Sequence, residues 1–185
     1  MDALELLHTR QSASKLQDPA PDEMELADIF RSAVSAPDPG RLRPWRFVVI
    51  RDEARERFGE VMAKALKARR PDTSPEMLDR ERAKPTRAPL IVIVAAHYQA
   101  GKIPEIEQAL AVGAAAQNIM LAAYAMGFGA MWRTGDVAYD ASVKTALGLA
   151  PNDAIVGLIY LGTPAGEPPP AQRPVPEQFV TEWTG

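Results

Sequence analysis

Arg10-Gln11-Ser12 is the stretch whose side chains could most readily do chemistry. It lies in Thr9–Lys15, a polar segment with three hydroxyls and two cations. A guanidinium offers a planar fork of donors that suits phosphate, and neighbouring hydroxyls add neutral donors. An ordinary exposed loop has the same composition. A second set lies in Ser35–Pro44, where Arg41 and Arg43 stand among three prolines and a glycine. Proline fixes φ, so such a loop can present cations rigidly at the edge of a ligand. A third set is Arg133-Thr134, the polar exit from an apolar run. None of the three contains a nucleophile beside a base. The chain has no cysteine, which removes thiol nucleophiles, thiolate metal sites and disulfides. His8 and His97 are far apart and lack metal-ligand spacing, so both read as structural and no metal site is expected. There is no phosphate-binding glycine loop of the nucleotide triphosphatase kind and no Gly-x-Ser-x-Gly elbow.

The element that must position these sets is Glu105–Gly135. No Asp, Glu, Lys or Arg occurs between Glu107 and Arg133. Its alanine-rich first part predicts a helix from about Glu105 to Met126, apolar all round and so buried on most faces. Gly127 and Gly129 stop it, and Ala130-Met131-Trp132 reads as a short buried strand. The uncharged run is long enough to span a membrane. Its many weakly apolar alanines and the central Gln117-Asn118 pair favour instead the central helix of a soluble core. Small side chains would also let a second copy of the helix approach closely.

Around it, Asp2–His8 and a helix launched by Asp18–Asp22 are amphipathic. Trp45–Ile50 reads as a strand, Glu53–Arg69 as a surface helix, and Ser74-Pro75 starts a short charged helix. Leu90–Ala96 is an unbroken apolar, β-branched run, the mark of a strand buried on both faces. Tyr139–Leu147 reads as a helix and Ala154–Leu161 as another buried strand. Thr163–Pro176 holds six prolines and reads as an extended arm, with Gln178–Trp183 as a last strand. These elements give an α+β or α/β class. Residues 1–185 are expected to form one domain, with 163–185 as its C-terminal arm.

Net charge is −3 over 185 residues, but unevenly spread. Residues 41–87 carry 14 bases against 8 acids, between acidic flanks. Most of these bases alternate with acids, the pattern of a solvated helix face. No nucleic-acid or membrane partner is expected. The N-terminus lacks a long apolar run, so a secretory signal is not expected and a cytoplasmic location is.

Four stretches in this order resemble the flavin-dependent nitroreductase family, in particular its small NAD(P)H nitroreductase branch. They are Arg10-Gln11-Ser12, Ala36-Pro37 through Pro44-Trp45, Gly127–Gly135 (GFGAMWRTG) and Val156–Pro164 (VGLIYLGTP). The resemblance implies a nitroreductase-like α+β fold: a central mixed, mostly antiparallel sheet flanked by helices, with the long helix at a homodimer interface. It implies FMN as cofactor and NAD(P)H as co-substrate. It puts Arg10, Gln11, Ser12, Trp132, Arg133 and Thr134 on the FMN of their own subunit, and Ser35 and Pro39 on that of the partner. Nicotinamide nucleotide would lie near Ala122, Ala123, Tyr124, Ala125, Met126 and Gly127. No side chain is expected to be catalytic, because flavin N5 carries the hydride, passed in ping-pong order to a small-molecule electron acceptor such as a nitroaromatic or quinone.

The chain departs from the family at Gln11, where many members are basic, and in Asp38–Arg43. Arg41 and Arg43 replace neutral amides there, so they would contact FMN or make the substrate rim more cationic. That rim would favour anionic acceptors or the extra phosphate of NADPH. Two other readings stay open: an FMN-binding storage or sensing module with little turnover, and an interaction domain that dimerises without ligand.

Overall fold

The computed structural model describes residues 2–166 and 171–185. In chain order its elements are α1 (Ala3–Thr9), β1 (Leu16–Gln17), α2 (Glu23–Ala33), β2 (Trp45–Arg51), α3 (Glu53–Arg69), α4 (Pro75–Arg82), β3 (Leu90–His97), α5 (Glu105–Ala125), β4 (Gly129–Arg133), α6 (Asp136–Tyr139), α7 (Ala141–Ala146) and β5 (Asp153–Pro164). Short 3₁₀ turns occupy Pro39–Arg41, Pro85–Arg87 and Pro176–Gln178.

Local chemistry starts several of these elements. Asp2 and Asp22 each cap a helix and are answered three residues on by Glu5 and Glu25. The Ser74 hydroxyl caps α4, with Pro75 in its first turn. Helix α5 has no side-chain cap at Pro104, and it ends at Gly127, whose φ of 89° suits only glycine without strain.

The sheet runs β2-β3-β5, with β4 and the short β1 also on β5. The mostly antiparallel sheet expected from sequence is antiparallel in every pairing among the described residues. Residues Leu90–Ala96 of β3 are at most 1 % exposed, because both faces are covered. Their side chains alternate between two clusters. Val92, Val94 and Ala96 meet Ile159, Leu161, α2 and α5 on one face. Ile91, Ile93 and Ala95 meet Leu158, Tyr160, α3, α6 and α7 on the other.

Helix α5 is buried on one face only. Gln108, Ala111, Val112, Ala115, Ile119 and Ala123 follow the 3–4 spacing of the covered face. Ile106 and Leu110 on the opposite face are 65 % and 64 % exposed. The expectation of burial on most faces thus fails within one chain: among the described residues α2, the sheet, α1 and the Pro39–Arg41 turn contact this helix and leave Ile106 and Leu110 open.

Three other expectations are corrected. The helix expected over Tyr139–Leu147 is α7, which starts only at Ala141 behind the capping carboxylate of Asp140; Tyr139 ends the separate short helix α6. Residues Thr163-Pro164 are strand, paired with Gln17 and Leu16, not the start of an irregular arm. The β1 partner itself was not foreseen, for two residues carry no period. Gln178–Trp183 is not a strand: a 3₁₀ turn ends at Gln178 and extended, exposed chain follows. Phe179, Val180 and Trp183 are 73 %, 69 % and 91 % exposed, and no strand among the described residues pairs with them. The expected arm also includes residues 167–170, which lie outside the described residues. Among the described residues no helix is long and apolar enough to cross a membrane.

One close approach fixes β4. The register of β3 on β5 shifts between Val94 and Ala95, and the carbonyl of Val156 at this irregularity accepts the Trp132 indole N–H at 3.2 Å. A Cβ on Gly157 would stand 2.3 Å from that indole nitrogen. Gly157→Ala is therefore expected to displace Trp132 and to destabilise the fold by about 2 kcal/mol, the usual cost of overpacking. Urea unfolding followed by tryptophan fluorescence checks this; a midpoint equal to wild type would refute it.

Candidate functional site

The C-terminal end of α1 delivers the first predicted set. Arg10 N–H closes the helix on Leu6 O at 3.0 Å, and the chain then turns along β4. Ala13 N–H donates to Ala130 O at 3.0 Å, which ties Arg10–Ser12 to the strand carrying Trp132 and Arg133. Gln11 is half-buried and Ser12 exposed.

Arg10 is the electrostatic peculiarity of this end. Its Nη1 is buried and has no hydrogen-bond partner among the described residues. Arg173 donates a hydrogen bond to the Arg10 carbonyl, so a second guanidinium stands close by. Burial, and next the charge of Arg173, hold Arg10 below its usual pKa, opposed by Tyr124 at the end of α5. A buried donor without an acceptor is costly, and a neighbouring like charge makes it more so. The arrangement suits an anion.

Strand β4 lines a cavity of about 530 Å³ with Met131, Trp132, Arg133 and Thr134. That size is ordinary for small-molecule sites. Met62 and Leu66 of α3 and Leu158 and Tyr160 of β5 form other walls, and Glu81, Lys84 and Arg87 close it from α4 and the turn after it. The Trp132 indole is committed to the Val156 carbonyl. Arg133 lies over the Tyr160 ring, 5.9 Å from its centroid. Burial pushes the Tyr160 phenol above its usual pKa, against the pull of Arg133 and Arg87. Lys84 is paired with Glu81, and Arg69 with Asp140. Arg133 and Arg87 have no ion pair among the described residues, which leaves the cavity an uncompensated positive wall.

The remaining predicted residues lie elsewhere. In the final turn of α5 and its cap, Ala123 is fully buried, Ala122 and Tyr124 are half-buried, and Ala125, Met126 and Gly127 are exposed. The backbone N–H of Gly127 donates to Tyr124 O at 3.0 Å. Pro39, Arg41 and Arg43 sit at the opposite end of α5, where Gly40 packs against Ile103 and Gln99 donates to Leu42 O. Ser35 lies between the two ends, three residues past the Ser32 carbonyl that Asn118 holds. A helix of 21 residues separates these groups by roughly 30 Å at about 1.5 Å per residue. One chain therefore ties Arg10–Ser12 to the start of β4 and sets Arg10 near Tyr124, while Trp132–Thr134 line a cavity that includes none of these residues. It does not bring Pro39, Arg41 or Arg43 to them.

Sequence reasoning missed Arg173, Lys84, Arg87 and Tyr160. Arg87 and Lys84 fall in a proline-rich segment without periodicity, and only the pairing of β3 carries them under β4. Tyr160, 4 % exposed, read as one more buried residue of the Ala154–Leu161 strand. Arg173 had no local signal.

A model of the nitroreductase family matches residues 7–163. A protein of Escherichia coli K12 named "Putative NAD(P)H nitroreductase YdjA" is 42 % identical over 183 residues, covering 98 % of this chain and 99 % of that protein. The solved nitroreductase-like family protein from Bacillus cereus superposes with a TM-score of 0.84 at 21 % identity, over 100 % of this chain and 97 % of the other, and so shows the fold. A "putative nitroreductase in complex with fmn" from Desulfovibrio desulfuricans gives a TM-score of 0.76 at 26 % identity, over 98 % and 97 %. The match along most of the chain, joined to a full-length relative, places this protein in the nitroreductase family.

Proposed function

We propose that the chain is an FMN-dependent oxidoreductase that draws reducing equivalents from NAD(P)H and works as a homodimer. Arg10 carries this reading: it holds a buried, unpartnered donor beside a second cation, on a loop tied to the strand that lines the cavity. The phosphate of FMN suits that donor, and the cavity suits its ring. The family, and the FMN complex of the Desulfovibrio relative, support the choice of flavin. The name of the Escherichia coli relative supports NAD(P)H.

Bound FMN would supply the chemistry, taking hydride at N5 and passing it in ping-pong order to a small acceptor such as a nitroaromatic or quinone. The protein's own residues hold, orient and exclude water. Arg10 and Ser12 offer charged and neutral donors to the phosphate, with Gln11 between them. Arg133 and Arg87 bring positive charge to the cavity, which suits a ring that gains electron density on reduction. Met62, Leu66 and Met131 give it apolar walls. Thr134 stands at the exposed exit of β4. At the end of α5, Ala125, Met126 and Gly127 are open to a nicotinamide nucleotide. The negative pole of the helix there favours its ring end over its phosphates.

The second copy follows from distance. Ser35 and Pro39 would serve the cofactor held by the partner, because the Pro39 turn stands roughly 30 Å from its own Arg10 at about 1.5 Å per residue of helix. The open face of α5 supports the same association. Ile106 and Leu110 are uncovered there, and a Cβ on Gly113 would meet nothing within 4 Å. The exposed Phe179, Val180 and Trp183 offer further apolar surface.

Three outcomes are expected. The purified protein should show the visible absorption of bound flavin and lose it on adding NADPH under nitrogen; a colourless protein that stays so with added FMN would end this reading. Arg10→Met should weaken FMN binding about 30-fold, within the range for a hydrogen bond to a charged group. Because it removes a buried, repelled cation, it should leave the melting temperature of the flavin-free protein no lower; a structural role for Arg10 would show as a clear drop in that temperature. Leu110→Arg should convert dimer to monomer in sedimentation and strip the flavin with it. A flavin-loaded monomer would contradict the shared site.

A further inference from the structure

We infer that the Asp38–Arg43 turn reads negative charge on a substrate, with Arg41 and Arg43 gripping a phosphate or carboxylate of the nicotinamide co-substrate or the acceptor. The inference rests on the proposed function, because the turn meets a ligand only through a second copy.

Backbone geometry is the first support. Arg41 and Arg43 have φ of 55° and 51°, the left-handed region that residues with a Cβ avoid. Two such residues two positions apart persist only where surrounding bonds over-determine them. Those bonds are present. The Asp38 carboxylate accepts from the Leu42 and Arg43 amides at 3.1 and 2.8 Å. The Gln99 amide donates to Leu42 O at 2.6 Å. Gly40 lies so close to Ile103 that an added Cβ would stand 2.9 Å from it.

Charge is the second. Both arginine side chains are exposed, and neither enters an ion pair or side-chain hydrogen bond among the described residues. The one acid of the turn, Asp38, is occupied by backbone amides, so it does not answer them. Arg46 adds a third guanidinium against the carbonyls of Arg43 and Trp45. A rigid turn with adjacent uncompensated cations fits an anionic group, whether the 2′-phosphate of NADPH or an acid on the acceptor.

The test replaces both arginines with asparagine, which tolerates the left-handed region and so spares the turn. Two ratios of kcat/KM are measured on the flavin-loaded enzyme: NADPH over NADH with a neutral quinone, and 4-nitrobenzoate over its methyl ester with NADH. Titration calorimetry of the oxidised protein with NADP⁺ and NAD⁺ gives a third, independent of turnover. The Arg41→Asn/Arg43→Asn protein is expected to lose about tenfold in at least one ratio, the effect of two exposed charge contacts. A fall in the first and third identifies the 2′-phosphate; a fall in the second identifies the acceptor. Arg41→Lys/Arg43→Lys should keep most of the wild-type ratio, and Arg51→Ala, a charge loss away from the turn, should leave all three in place. Unmoved ratios in a flavin-loaded asparagine variant overturn this inference alone. A wild-type chain that binds no flavin overturns the proposed function and this inference with it.

Discussion

The packing of α5 against β3, β5 and α2 sets the span across which every polar group of interest is distributed. Small residues such as Ala111, Ala115 and Ala116 let the helix lie close on the sheet, and Ile119 and Val112 fill the space between. A rigid rod of 21 residues keeps Arg10 and Tyr124 at one end and the Pro39 turn at the other. The proposed division of labour between two copies rests on this length, not on any special contact.

Charge placement follows a related rule. The covered faces of the sheet and of α5 contain almost no ionisable groups, so cations collect where elements end. Arg10 follows α1, Arg133 ends β4, Arg87 ends a 3₁₀ turn, and Arg41 and Arg43 occupy a turn after α2. Four surface bases, Arg31, Arg57, Arg82 and Lys84, are answered by acids a helical turn away. Arg10 with its neighbour Arg173, and Arg133 with Arg87, have no ion pair among the described residues and mark the candidate site because they stand at a half-buried loop and in a cavity wall.

How much of this was legible in the sequence depended on whether a residue's role was local. The long uncharged run announced α5, and the apolar β-branched run announced β3, because burial on a face leaves a periodic or continuous trace. Arg10 and Arg133 could be proposed because phosphate recognition favours such residue types beside hydroxyls. Lys84, Arg87 and Arg173 could not, since their importance comes from a strand pairing or a chain crossing dozens of residues away. The Gln178–Trp183 reading failed for a related reason: alternation expresses strand propensity, but a strand needs a partner edge. The start of the Tyr139–Leu147 helix was misjudged because Asp140 caps from within an apparently continuous pattern. The open side of α5 shows the limit in reverse. Its apolar residues looked buried in sequence, and nothing in one chain covers them.

Gln108 gives the molecule one further property. Its buried amide accepts from the Gln99 amide at 3.0 Å and donates to the carbonyls of Gln99 and Ile103 at 2.9 and 3.0 Å. This clamp joins the start of α5 to the segment that also holds Leu42, so the Asp38–Arg43 turn is moored by groups that its own outward side chains do not supply. Positions 41 and 43 can therefore change among residues that tolerate a positive φ while their mooring stays put. On the proposed reading of this turn, substrate preference would drift between lineages by exchanging a single fitting on an unchanging bracket, without retooling the framework behind it.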